Sequence, residues 1–238
     1  MDDREPFQFN RFPTPARPLL GVTILVVEDS RFACEALRML CVRSGARIRR
    51  ADSLAAAERH LQVYRPTVLI VDLGLPDGDG ADLIRAAAAG NPRLPVILGS
   101  SGDDLAHDIC QAAGADGFLP KPVQSLAQFQ ELILSCLPEG QRPMGPRAVN
   151  DEVVYPDALA YHDDLAHAAD LLRGGSEGRI LDYVAQFVTG IARSAADAPL
   201  VTAGEALTIA RMQGRSCRSD VARLAGLMRE RLAGAAAV

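Results

Sequence analysis

The sequence predicts a doubly wound α/β unit of five parallel strands followed by an all-α helical bundle. Three observations carry this. Between Val22 and Cys136, short apolar runs alternate five times with stretches of helical periodicity, as in a parallel sheet covered by helices on both faces. Beyond a Pro-, Gly- and Arg-rich stretch from Pro138 to Asn150, the strand pattern disappears and four helical stretches take over. Within the first unit, polar residues stand just after the apolar runs, where open α/β sheets place their ligands.

In chain order, residues 1–20 hold Pro6, Pro13, Pro15 and Pro18 with Phe7, Phe9 and Phe12. The prolines deny regular structure, so this reads as an extended arm whose rings pack on the body or on a partner. Val22 to Val27 is a buried strand ending in Glu28-Asp29-Ser30. Helical spacing of Phe32, Leu37, Leu40 and Cys41 runs on to Gly45, and Ala46 to Ala51 is a second strand. Ser53 can cap a helix to about Tyr64. Thr67 to Asp72 runs apolar and β-branched residues straight into one carboxylate, and Gly74, Pro76 and Gly78 then read as a loop. A helix follows over Gly80–Ala89, a strand from Pro95 to Gly99, a helix from about Asp104 to Ala113, a short strand at Gly117–Leu119, and a last helix over Ser125–Cys136. The expected division is arm 1–20, α/β unit 21–137, linker 138–152 and helical unit 153–238.

The totals exclude several classes. The 238 residues are 48% hydrophobic and 23% charged, an ordinary globular balance. No apolar run approaches the roughly 18 residues of a membrane span, and the opening Met-Asp-Asp has no apolar core, so no secretory leader is expected. Five scattered cysteines make no metal or disulfide spacing, which fits a reduced cytoplasm; Cys34 and Cys41 read as small buried thiols. A net charge of −5 gives no global push toward nucleic acid. Of 25 basic residues only Lys121 is a lysine. A chain that otherwise uses Arg everywhere points there to a compact ammonium on a flexible stem.

The strand ends carry Glu28 with Asp29, then Asp72, then Ser100, then Lys121. In a parallel sheet these share one edge. Three carboxylates together repel unless a cation joins them, and Mg²⁺ suits oxygen ligands that also meet phosphate. Asp72 could then act as a nucleophile toward a phosphoryl group.

The motifs Val26-Val27-Glu28-Asp29-Ser30, Val71-Asp72-Leu73-x-Leu75-Pro76-Asp77-Gly78, Pro95-Val96-Ile97-x-x-Ser100 and Gly114-Ala115-Asp116-Gly117-Phe118-Leu119-Pro120-Lys121-Pro122 stand in order. Together they resemble the receiver domain of two-component response regulators. The resemblance implies a flavodoxin-like fold with Asp72 as phosphoacceptor. It implies Mg²⁺ held by Glu28, Asp29, Asp72 and the backbone carbonyl of Gly74, and Lys121 holding the phosphoryl group beside a Pro122 bond that is often cis. Ser100 and Phe118 would be the switch pair, with plain core packing the alternative for Phe118. It further implies a sensor histidine kinase or phosphotransfer protein as donor, a cytoplasmic signalling component that is not an enzyme, and a homodimer through the fourth helix, fifth strand and fifth helix or through the helical unit. Two departures concern the approach of water to an acyl phosphate: Ser101 replaces the usual Ala or Gly, and Gly74 is unusually small. A rival reading, an Asp-nucleophile phosphatase, needs a second Asp where Gly74 stands.

The helical unit is expected over Asp157–Arg173, Glu177–Ala195, Thr202–Gln213 and Ser216–Leu232, separated by Gly174-Gly175, Pro199 and Gly214. Leu159, Leu165, Ala169 and Leu172 space as one apolar stripe, and Ile180, Val184, Phe187, Val188 and Ile191 as another. Such a unit docks a partner or dimerises. Alternatively, His162-Asp163 resembles the His-acid pair of phosphotransfer bundles, although Ala166 and His167 depart from that pattern; an exposed His without chemistry is the plainer alternative. From Arg211 to Arg231 six Arg face two acids, so DNA binding through phosphates is a third reading.

Overall fold

The computed structural model describes residues 12–103, 105–145, 149–174 and 178–235. Pro6, Phe7 and Phe9, and the expected helix starts at Asp104 and Glu177, lie outside the described residues. The chain runs β1 (Thr23–Val27), α1 (Arg31–Ser44), β2 (Arg47–Ala51), α2 (Leu54–Val63), β3 (Val68–Asp72), β4 (Gly74–Leu75), β5 (Gly78–Asp79), α3 (Gly80–Ala89), β6 (Val96–Ser101), α4 (Ala106–Ala113), β7 (Gly117–Pro120) and α5 (Leu126–Cys136). A 3₁₀ turn at Glu139–Gln141 precedes α6 (Ala158–Gly174), α7 (Arg179–Ser194), α8 (Ala198–Met212) and α9 (Arg218–Ala235). No described helix is long and apolar enough to cross a membrane.

The main sheet has the order β2-β1-β3-β6-β7 with every pair parallel. Alternation along each strand splits its core in two. Ile24, Val26, Val68, Ile70 and Leu98 pack under α1 and α5. Leu25, Val27, Leu69, Val71 and Ile97 face α2, α3 and α4. Cys34 and Cys41 are buried thiols on the α1 side. Leu19, at the end of the expected arm, is fully buried in that same layer, whereas Phe12 is 77% exposed. Val154 also enters this core, with Val153 bridged to Ser125, so the chain after the expected linker is tied to the sheet unit. The expected loop after Asp72 folds instead as the small antiparallel hairpin β4–β5.

The four C-terminal helices close into a ring in which each touches its two neighbours. Leu165, Val184, Phe187, Val188, Leu207 and Met228 fill its centre. Two expectations need correction. Leu159 is 70% exposed and Ile180 41% exposed, because the true stripe of α6 runs through Leu165, Ala168, Ala169 and Leu172 while Ile180 sits in the open first turn of α7. Helix α8 starts at Ala198 and not at Thr202: Asp197 caps it, and Pro199 lies in the first turn, where its missing N–H costs nothing. At Gly204 a Cβ would stand 2.1 Å from Thr189 Oγ1, so the glycine sets the close approach of α7 and α8.

This bundle is joined to the sheet unit through the start of α1. The first N–H groups of a helix have no partner within it. Here Ser30 Oγ accepts from Ala33 N at 2.9 Å, and Asp164 of α6 supplies the rest. Its carboxylate accepts from Arg31 N at 2.9 Å, Phe32 N at 3.0 Å and Ser30 Oγ at 2.7 Å. Asp164 is 3% exposed, and its charge faces the positive end of the helix dipole. Next to it, Arg31 pairs with Asp163 in solvent, and Phe32 lies against Tyr161 with ring centroids 5.6 Å apart. Asp164→Ala leaves three buried or half-buried donors unpaired and should cost about 2–4 kcal/mol in urea denaturation. Asp163→Ala, which removes only an exposed ion pair, should cost less than about 1 kcal/mol; equal effects would contradict the capping role.

Candidate functional site

Parallel pairing brings the strand ends to one edge. Val27 stands beside Val71, so Glu28 follows next to Asp72, and Asp72 is itself in register with Ser100. Strand β3 is buried from end to end, including Asp72 at 7% exposure. The turn after it depends on Gly80, where a Cβ would lie 2.0 Å from the Asp72 carbonyl oxygen. Asp77 ties the same turn to α2 by accepting from Leu54 N at 2.9 Å and Ala55 N at 3.0 Å, and Asp79 caps α3.

Glu28, Asp29 and Asp72 each direct a carboxylate oxygen to one place, all within 4.8 Å of one another. Lys121 Nζ lies 2.7 Å from Glu28 Oε2 and 3.1 Å from Asp72 Oδ2. Three carboxylates against one ammonium leave a formal charge of −2 in a buried site. Burial pushes the Glu28 carboxyl well above the usual range, against the pull of Lys121. Burial also lifts Asp29 to about 6, partly offset by a hydrogen bond from Tyr183. For Lys121, burial works against the charge, but Asp72 and Glu28 outweigh it and hold the ammonium protonated. Asp29 Oδ1 is buried with no hydrogen-bond partner among the described residues. An all-oxygen donor set with excess negative charge and one orphaned oxygen fits a hard divalent cation.

The remaining expected residues fall around this pocket. Ser100 is buried and its Oγ donates to the Leu119 carbonyl at 2.9 Å. Phe118 is half-buried, edge-on to His107 with ring centroids 5.8 Å apart. Gly74 lines the cavity at the pocket, and the Lys121–Pro122 bond is cis. His162 is not brought to the pocket: it stands half-buried beside Tyr161 and lines neither large cavity there.

Helix α7 supplies residues that the sequence did not single out. Tyr183 donates its hydroxyl to Asp29 Oδ2, and burial together with Asp29 keeps that phenol protonated. Arg193 donates to the Gly102 carbonyl, and Gln124 Nε2 donates to the Ser194 carbonyl at 3.0 Å. Between the bundle and the sheet edge lies a cavity of about 1110 Å³, lined by Asp29, Asp72, Lys121, Gln186, Arg193 and Glu205. The helical stripe of α7 was legible; that its flank would lie over Asp29 depends on docking, which periodicity does not encode.

Comparison with known proteins agrees with this geometry. Residues 24–133 match the family described as the response regulator receiver domain. The virulence transcriptional regulatory protein PhoP of Shigella flexneri is 29% identical over 153 residues, covering 58% of this chain and 69% of that protein. The transcriptional regulatory protein PhoP of Escherichia coli strain K12 gives the same identity and coverage. Among solved structures, a putative response regulator from Chloroflexus aurantiacus is 32% identical over 47% of this chain and 91% of that chain, with a TM-score of 0.42. The receiver domain of a sensor histidine kinase from Pseudomonas aeruginosa, solved with a magnesium ion coordinated in its active site cleft, is 25% identical over 48% of this chain and 95% of that one, with a TM-score of 0.44. Residues 24–133 of this chain are a response regulator receiver domain of the two-component type.

Proposed function

We propose that Asp72 accepts a phosphoryl group from a sensor histidine kinase or phosphotransfer protein, and that the modification changes how the helical region interacts. The observation that carries this reading is the buried lysine reaching both Glu28 and Asp72 while one Asp29 oxygen has no partner among the described residues. In the transfer, a carboxylate oxygen of Asp72 attacks phosphorus. The bond from phosphorus to the donor imidazole breaks, and its electron pair stays on the ring nitrogen. Lys121 offers its charge to the phosphoryl oxygens, and Ser100 offers its hydroxyl. Mg²⁺ would be held by Glu28, Asp29, Asp72 and the Gly74 carbonyl, and when bound it would supply further positive charge to the transferring group.

The output follows from the same atoms. If the Ser100 hydroxyl turns to the phosphoryl group, it leaves the Leu119 carbonyl, and Phe118 takes up the space beside it. The Ser101–Gly102 segment carries the carbonyl that Arg193 holds, so this turn reaches the helical region directly. It also reaches the α4–β7–α5 face, the proposed contact for a second copy. On this reading the chain divides into arm 1–20, receiver 21–137, linker 138–152 and helical output 153–238. It is a cytoplasmic signalling component and not an enzyme that turns over a separate substrate. DNA binding is a second reading, favoured by the transcriptional regulators among its relatives and by the exposed Arg215, Arg218, Arg223 and Arg229. Against it, Arg211 and Arg231 are already paired with Asp182 and Asp197.

Incubation with acetyl phosphate and Mg²⁺ should add one phosphoryl group to the chain by intact mass, and Asp72→Asn should abolish it; an Asn variant that is still labelled would remove Asp72 as acceptor. Tyr183 orients a proposed metal-holding carboxylate from the other side, so Tyr183→Phe should weaken Mg²⁺ binding by about tenfold in calorimetry. Unchanged affinity would disconnect the helical region from the metal site.

A further inference from the structure

Two residues after Asp72 the chain has Gly74, and the space beside it belongs to another part of the molecule. A Cβ built on Gly74 would lie 2.4 Å from Gln186 Nε2, 2.8 Å from its Cδ and 3.2 Å from its Oε1. The Gln186 carboxamide therefore occupies the volume that a side chain at position 74 would take. It lines the cavity that holds Asp72 and Lys121, and also the second cavity over the β3–α3 turn, so it forms part of their shared wall. Gln186 is solvent-exposed and has no hydrogen-bond partner among the described residues. An unengaged carboxamide at the mouth of a buried acidic pocket can bind water on one side and face the pocket on the other.

Its position is fixed on both sides. Tyr183, one turn earlier on the same face of α7, donates to Asp29, and Arg193, two turns later, donates to the Gly102 carbonyl. Asp182 is held by Arg211 through two bonds of 2.7 and 2.8 Å, which clamps the same turn of α7 to α8. These anchors fix the backbone of α7 beside the pocket, so the Gln186 carboxamide is presented at Gly74.

We propose that Gln186 positions the water that removes the phosphoryl group from Asp72, so that the helical region carries a built-in brake on the signal. This rests on Asp72 being the phosphoacceptor. Gln186 Oε1 accepts one O–H of the water and aims an oxygen lone pair at phosphorus. The water oxygen bonds to phosphorus as the bond to the Asp72 oxygen breaks, and that electron pair returns to the Asp72 carboxylate. Both water protons remain with the departing inorganic phosphate, so Gln186 takes no proton and needs no particular pKa. A neutral carboxamide suits this place because a carboxylate there would repel the phosphoryl group.

The test follows the loss of label from the full-length chain after phosphorylation with acetyl phosphate and Mg²⁺ and removal of the donor. Gln186→Ala should lengthen the lifetime of the acyl phosphate roughly tenfold or more. Gln186→Met fills the same space without an acceptor oxygen and should be as slow as Ala. Gly74→Ala displaces the carboxamide and should also be slow, with the Gly74→Ala/Gln186→Ala double variant no slower than either single change. A Met variant that decays like the unaltered chain would reduce Gln186 to packing and overturn the proposal. An unchanged or shortened lifetime in Gln186→Ala would overturn it as well, the shortened one meaning that Gln186 shields Asp72 from water. If the unaltered chain takes no label at Asp72, the acceptor reading itself fails and this inference falls with it.

Discussion

Everything at the sheet edge depends on one buried ammonium. Lys121 contacts Glu28 and Asp72 while it is only 12% exposed. Two carboxylates and a lysine removed from water are stable only because they satisfy each other; losing one partner from such a group costs several kcal/mol. The pairing also fixes positions. It holds the end of β7 against the ends of β1 and β3, so that Asp72 points into the cavity and not into the core. Yet one positive charge does not balance three carboxylates. The remaining negative charge and the orphaned Asp29 oxygen make the pocket receptive to a divalent cation and to the oxygens of a phosphoryl group.

The helical region touches this pocket directly. Asp164 closes the N-terminus of α1, the helix that follows directly from the Glu28–Asp29 pair, and Tyr183 reaches Asp29 itself. Thus two contacts from α6 and α7 bear on the same short segment after β1, one through backbone N–H groups and one through a carboxylate. On the proposed reading, a charge change at Asp72 would reach the bundle through these few hydrogen bonds over a short span. Coupling of this kind is reciprocal: whatever favours the loaded pocket also favours one docking of the helices. Gln186 belongs to the same geometry: its amide fills the space beside Gly74, and its proposed role rests on that placement.

Much of this was legible in the sequence, for physical reasons that can be named. Buried parallel strands must be apolar on both faces, so Val22–Val27, Thr67–Asp72 and Pro95–Gly99 marked themselves. The punctuation after each placed Glu28, Asp29, Asp72 and Ser100 at one edge, and the solitary lysine marked the fourth corner. Ser53 gave a helix start because capping is local. What escaped was whatever depends on contacts between distant segments. Asp164 looks like any acid on an amphipathic helix until α1 is laid against it. Tyr183 and Gln186 flank an apolar stripe and carry no local sign that the receiver lies there. Leu159 was misread for a related reason: near a helix start, spacing alone does not tell a core position from an exposed one.

The most direct measurement is a crystal structure of the full chain grown with Mn²⁺ in place of Mg²⁺, with the ion located by its anomalous scattering. The account predicts one ion bound by the Glu28, Asp29 and Asp72 carboxylates and the Gly74 carbonyl, with Tyr183 still bonded to Asp29 and Lys121 still beside Asp72. An ion bound elsewhere, or an acidic pocket that stays empty at saturating Mn²⁺, would contradict it.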